Sequence, residues 1–195
     1  MKRNVKTNEM KHLFKFTFII TLFISCNISS GSIDSKAKEL DKNKNKIYKN
    51  IKYKYSIEYP HNWTELSTNT QEEVYLSGPQ IDSGLFKTDG AVSIMASKRE
   101  KPFTLEESFI GNIRYIEKTS KNFKGIGTSN LTINGIKMKV AKFQVDEFIT
   151  MMSIQYYFKK SNISFVFGGT IPSQEMGKYE KIYFDIIKTF KFTEE

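Results

Sequence analysis

The chain has 195 residues, 39% of them hydrophobic, with one cysteine, two histidines and a formal net charge of +9. That length holds one domain once targeting and linker segments are set aside, and a lone Cys excludes an intramolecular disulfide and any zinc site built on paired cysteines. Residues 1–25 and 26–54 carry the whole positive excess, +4 and +5, while residues 55–195 hold 17 charges of each sign, so the folded part lacks the clustered Lys and Arg that nucleic-acid binding needs.

Lys2, Arg3, Lys6 and Lys11 form a basic n-region, followed by an apolar run over residues 16–24. Nine residues are too few for a bilayer core that takes about 20, so a cleaved signal peptide over residues 1–25 is expected rather than a permanent span. The run ends at Leu22-Phe23-Ile24-Ser25-Cys26, which resembles the lipobox of bacterial lipoproteins, with Leu22 one place earlier than usual. The resemblance implies that the Cys26 thiol is acylated and that Cys26 becomes the first residue of the mature chain. Asn27 is not the Asp that retains many enterobacterial lipoproteins at the inner membrane, which leans toward the outer membrane. Residues 26–49 are rich in Lys, Asn and Ser, a composition that cannot bury enough surface to offset its ordering entropy, and are expected to form a flexible tether. The domain is expected over residues 50–195.

Within it, residues 51–59 alternate, with Ile51, Tyr53, Tyr55, Ile57 and Tyr59 on one face, as a half-buried strand does. Pro60 stops it, and the turn Pro60-His61-Asn62-Trp63 follows. Trp63 is the only Trp and reads as a core plug; His61 reads as a solvated turn residue. Residues 73–76 form a short strand. Residues 77–90 make a loop full of breakers, long enough to be the first candidate for a binding edge; its Asp82, Phe86 and Asp89, with His61 and Trp63, are the weak ligand-binding candidates. Residues 91–97 alternate again.

Thr104 and Glu107 form a capping box at the start of a helix whose Leu105, Phe109, Ile113 and Ile116 recur at helical spacing. The pair Glu106 and Glu107 lies in the first turn, where acids favour the helix dipole, and needs no acid/base role. Asn134-Gly135 between two apolar runs marks a type I′ hairpin. Ile136, Met138 and Val140 then share one parity and Phe143 and Val145 the other, which predicts a bulge near Ala141. A second hairpin, residues 149–158 and 163–167, is apolar on both faces, as a central strand covered on two sides would be. After Pro172, Ser173 is the expected N-cap of a helix whose stripe is Met176, Tyr179, Ile182, Tyr183, Ile186, Ile187 and Phe190.

This order of elements, over residues 48–192, resembles the PsbP-like family, the extrinsic subunits of photosystem II and their bacterial lipoprotein relatives. The segment Tyr55-Ser56-Ile57-Glu58-Tyr59-Pro60-His61-Asn62-Trp63 carries the likeness most specifically, with Asn62 where Gly is commoner; Asn tolerates a left-handed backbone better than other non-Gly residues. The resemblance implies an α+β fold, an α/β/α sandwich with a central antiparallel sheet flanked by two helices, and an accessory role without catalysis. The family's cation-binding residues have no counterpart that can be placed here, so no metal and no cofactor is expected. The leading expectation is a lipid-anchored, extracytoplasmic binding module: not an enzyme, held to a membrane through Cys26, with a protein or envelope partner. The first alternative is an envelope hydrolase or metal-dependent enzyme using the 77–90 loop with Asp82, Asp89 and His61. The second is a secreted, non-lipidated binding protein, in which Asn27, Asn62, Asn130 and Asn162 would be glycan acceptors.

Overall fold

The computed structural model describes residues 45–67, 72–82, 87–146 and 149–193. Its first element is a hairpin of β1 (Lys46–Asn50) and β2 (Tyr55–Tyr59). The expected single strand over residues 51–59 is therefore corrected: residues 51–54 are a turn. Asn50 is the reason, because its Oδ1 accepts from the Tyr53 amide at 2.8 Å and closes a side-chain turn, while Lys54 takes φ of 52°. Ile51, expected on the core face, is exposed. Ordered strand also reaches back to Lys46, into the stretch read as tether.

Seven strands form the main sheet: β3 (Thr64–Ser67), β4 (Glu73–Ser77), β7 (Val92–Lys98), β8 (Lys124–Ile133), β9 (Ile136–Asp146), β10 (Thr150–Lys160) and β11 (Ile163–Pro172). Their order is β3-β4-β7-β11-β10-β9-β8, every pairing antiparallel. Between β4 and β7 the chain makes a separate two-stranded excursion, β5 (Gln80–Asp82) with β6 (Lys87–Asp89). The stretch expected as a plain loop thus contains a hairpin.

Helix α1 (Leu105–Thr119) covers one face of the sheet, its Phe109 packing edge-on to Tyr157 at 5.2 Å. Helix α2 (Met176–Ile187) covers the other, together with a three-stranded sheet in which β12 (Lys191–Phe192) pairs with β2. This is an α+β fold with a large antiparallel sheet flanked on both faces by helices, as expected. The second small sheet was not expected.

The two-sided cover also corrects the bulge. Met138 and Val140 belong to the α2-side core, whereas Ala141, Phe143 and Val145 belong to the α1-side core. Consecutive strand residues point to opposite faces, so the burial switches sides without any break, and the register of β9 with β10 is continuous. The irregularity lies on the neighbouring strand, between Gly125 and Gly127 of β8. Ser173 is corrected too. It opens a 3-10 turn, Ser173–Glu175, and α2 starts behind Glu175 with no side-chain cap.

β11 runs through Gly168-Gly169 to Pro172, and both glycines allow close approach: a Cβ on Gly168 would overlap the Ile154 carbonyl of β10, while Gly169 lets α2 close on the strand. A Cβ on Gly169 would lie 2.8 Å from the Tyr183 hydroxyl, which donates to the Ala91 carbonyl at 3.0 Å. At the centre, Phe158 and Phe165 stack at 5.2 Å, and Phe190, just past α2, stacks on Tyr55 at 5.1 Å.

Candidate functional site

The excursion between β4 and β7 sits on Trp63 and Tyr179. Trp63, 2% exposed, is set by the turn in which its amide donates to the Pro60 carbonyl at 2.9 Å. A Cβ on Gly78 would lie 2.6 Å from Trp63 Cε2, and one on Gly90 would overlap the Tyr179 ring. Both ends of the excursion therefore approach aromatic rings as closely as only glycine allows. The Gly90 amide donates to the Pro79 carbonyl at 3.2 Å, closing its base.

Within the hairpin Gln80 stands opposite Asp89 and Asp82 opposite Lys87. Directly opposed residues share a face, so these four form one polar, exposed face, while Ile81 on the other face is buried in the core. Asp82 and Lys87 approach to 3.9 Å, both exposed. The Ser77 hydroxyl donates to Asp89 Oδ2 at 2.8 Å. That bond ties β4 to β6 directly, hydroxyl to carboxylate. Burial, with help from the Glu175 and Asp89 charges, pushes the Tyr179 hydroxyl up from its usual range.

Of the residues singled out from sequence, Trp63, Asp82 and Asp89 are thus brought to one region, Trp63 beneath it and the acids on its surface. His61 lies exposed in the Pro60–Trp63 turn. Phe86 and Cys26 lie outside the described residues. Among the described residues no group of three His, Cys, Asp or Glu is placed to hold a metal ion. Ser77, Ile81 and Tyr179 shape the region and were not anticipated. Gly78 and Gly90, read only as breakers, were the available signal, since a glycine also marks close approach. The exposed face offers carboxylate, amide and ammonium groups, chemistry suited to hydrogen-bonded recognition of a polar partner.

A second exposed feature is the β1–β2 hairpin. Ile51 is 76% exposed and Ile47 56%, the two most exposed large hydrophobic residues described. Residues 45–54 hold four lysines and no acid.

No protein-family model matches the chain, and no curated protein matches it with significance. Solved structures do match. The cyanobacterial PsbP, CyanoP, from Synechocystis is 10% identical, with 83% of this chain and 99% of that chain covered and a TM-score of 0.56. LpqN of Mycobacterium tuberculosis, involved in cell envelope biogenesis, is 12% identical over 80% and 88% of the two chains, with a TM-score of 0.53. The Ran-binding protein Mog1p of Saccharomyces cerevisiae is 7% identical over 78% and 97%, with a TM-score of 0.50. At these identities the likeness is one of fold, and the fold is PsbP-like. One fold carrying such different proteins leaves function to be argued from the chain's own residues.

Proposed function

We propose that the protein is a lipid-anchored, extracytoplasmic module that binds a protein or envelope component without catalysis. The observation that carries this reading is the position of the only thiol in the chain. Cys26 stands directly behind a small residue, at the end of a nine-residue apolar run that follows a basic n-region. Diacylglycerol on that thiol together with an N-acyl chain gives the two or more chains that stable anchoring takes. Support for an envelope role comes from LpqN, which shares the fold and is involved in cell envelope biogenesis. The neutral domain and the polar face of Gln80, Asp82, Lys87 and Asp89 fit recognition of a polar partner.

Detergent phase partitioning of the protein from expressing bacteria tests the anchor. The wild-type chain is expected in the detergent phase, with a mature N-terminus at Cys26 whose mass carries the acyl groups, and Cys26→Ala in the aqueous phase. Equal partitioning of the two would sink the lipid-anchor reading. The non-catalytic part is tested separately. If a turnover activity of the purified protein were found and then lost in a folded His61→Ala, Asp82→Ala, Asp89→Ala triple variant, an enzyme using the excursion would replace it.

A further inference from the structure

We propose that the β1–β2 hairpin is a membrane-contact element, with Ile47, Lys49, Ile51 and Lys54 docking on anionic lipid head groups. The geometry of the hairpin argues for it. β1 is an edge strand of its sheet, with no strand paired to its outer side among the described residues. Ile47 and Lys49, alternate residues of β1, are exposed while Tyr48 and Asn50 face inward, Asn50 being buried, and Ile51 is exposed in the turn that follows. Lys54 sits at the turn's end with a left-handed backbone, exposed. The outer stripe therefore alternates apolar and cationic groups. That is the composition by which interfacial segments place aliphatic side chains between head groups and ammonium groups against lipid phosphates.

The charge balance of the hairpin is selective. Lys46 donates to the Trp63 carbonyl at 2.8 Å, and Lys52 pairs with Glu72 at 3.0 Å. Lys49 and Lys54 make no ion pair among the described residues. Glu58 stands opposite Ile47 and is half-buried, so the exposed charge of the stripe is positive. An anionic surface complements it, whereas a second copy of the same stripe would set lysine against lysine.

The place where the chain enters the fold makes the contact reachable. Cys26 and Lys46 are joined by a segment that spans at most about 70 Å at full extension, and it leads straight into the proposed contact. This part rests on the lipid-anchor reading: an anchor holds the hairpin at high effective concentration over the bilayer, so a weak patch suffices.

The test uses residues 26–195 carrying Cys26→Ser, so that no lipid can be attached, and measures co-sedimentation with phosphatidylcholine vesicles made with or without phosphatidylglycerol. Binding is expected only to the anionic vesicles, and it should weaken as salt is raised. Ile47→Ser with Ile51→Ser should reduce it about tenfold, as should Lys49→Glu with Lys54→Glu, while Lys49→Arg with Lys54→Arg retains it. All four positions of change are exposed, and matching circular dichroism and melting curves confirm the fold of each variant. The proposal is overturned by three results. One is binding unchanged in both disruptive variants, which would assign it to the lysines upstream; another is equal binding to neutral vesicles. The third is a wild-type dimer that the isoleucine variant abolishes, with no vesicle binding. Because the Cys26→Ser chain carries no lipid, failure here leaves the detergent partitioning of Cys26 a separate result.

Discussion

Replacing Trp63 by Ala removes an indole that is 2% exposed and against which Gly78 is packed. The loss combines transfer free energy with a cavity beneath the excursion, and Trp→Ala changes in cores cost about 3–5 kcal/mol. His61, two positions earlier in the same turn, is exposed, and its replacement by Ala should change stability by no more than about 0.5 kcal/mol. Urea denaturation of the two variants measures both. A small effect at Trp63 would mean that the excursion is held by Tyr179 and the buried Ile81 alone. Residues 51–59 depart from their alternation for a reason that lies in one side chain. Alternation assigned Ile51 to the core, yet a single Asn side chain, Asn50 bonded to the Tyr53 amide, ends the strand before it. Hydrophobic periodicity cannot register a turn closed by a side chain, and the polar residue just before the run was the only clue.

At the scale of elements, α1 was legible because its start is written in local chemistry. Thr104 Oγ1 accepts from the Glu107 amide at 3.1 Å, and the Thr104 amide donates to Glu107 Oε2 at 2.7 Å. Thr104→Ala should therefore cost about 1 kcal/mol in a denaturation experiment. The Thr104 amide, and the Thr104 hydroxyl that donates to Glu107 Oε2 at 3.0 Å, hold the Glu107 carboxyl below its usual range. A carboxyl with a depressed folded value contributes stability that is present above the unfolded value, about 4.3, and is lost as pH falls through the folded one. Chemical denaturation across that acid range should show a shallower decline for Glu107→Gln than for the wild type; parallel curves would remove the linkage. The start of α2 was not legible, because Pro172-Ser173 feeds a 3-10 turn and the helix proper begins uncapped. Its end depends on a residue far away in sequence. Asn134, in the β8–β9 turn with φ of 49°, donates from Nδ2 to the carbonyls of Lys188 and Phe190, both at 2.9 Å, so it holds the C-cap of α2 and the chain just beyond it. The Asn-Gly pair announced the turn and gave no sign of this second use.

For the molecule as a whole, the two-faced burial of β10 was enough to place a sheet between two helices. The small sheet beside α2 was not readable, because it joins the two ends of the domain: β12 adds to β2, and Thr189 Oγ1 accepts from the Glu58 amide at 2.8 Å. Such pairing has no local pattern. The cores on the two faces of the main sheet bury several tyrosines, and this gives the fold an alkaline limit. Burial pushes the Tyr55, Tyr157 and Tyr183 hydroxyls well above their ordinary value and Tyr156 up to about 12. The folded state thus keeps these protons at a pH where the unfolded chain has begun to lose them. The unfolded state then binds fewer protons, so stability is fully present below the unfolded value of about 10 and falls as pH rises beyond it. Each such group takes away about 1.4 kcal/mol per pH unit until its folded value is reached. Against a typical total of about 5–15 kcal/mol, three or four acting together should unfold the domain within roughly three pH units above 10. Phenolate absorbance and far-ultraviolet circular dichroism recorded on one titration should therefore change together, the buried tyrosines ionising as the fold is lost. Gradual ionisation of all ten tyrosines with the secondary structure intact would show that these hydroxyls are not held by the core.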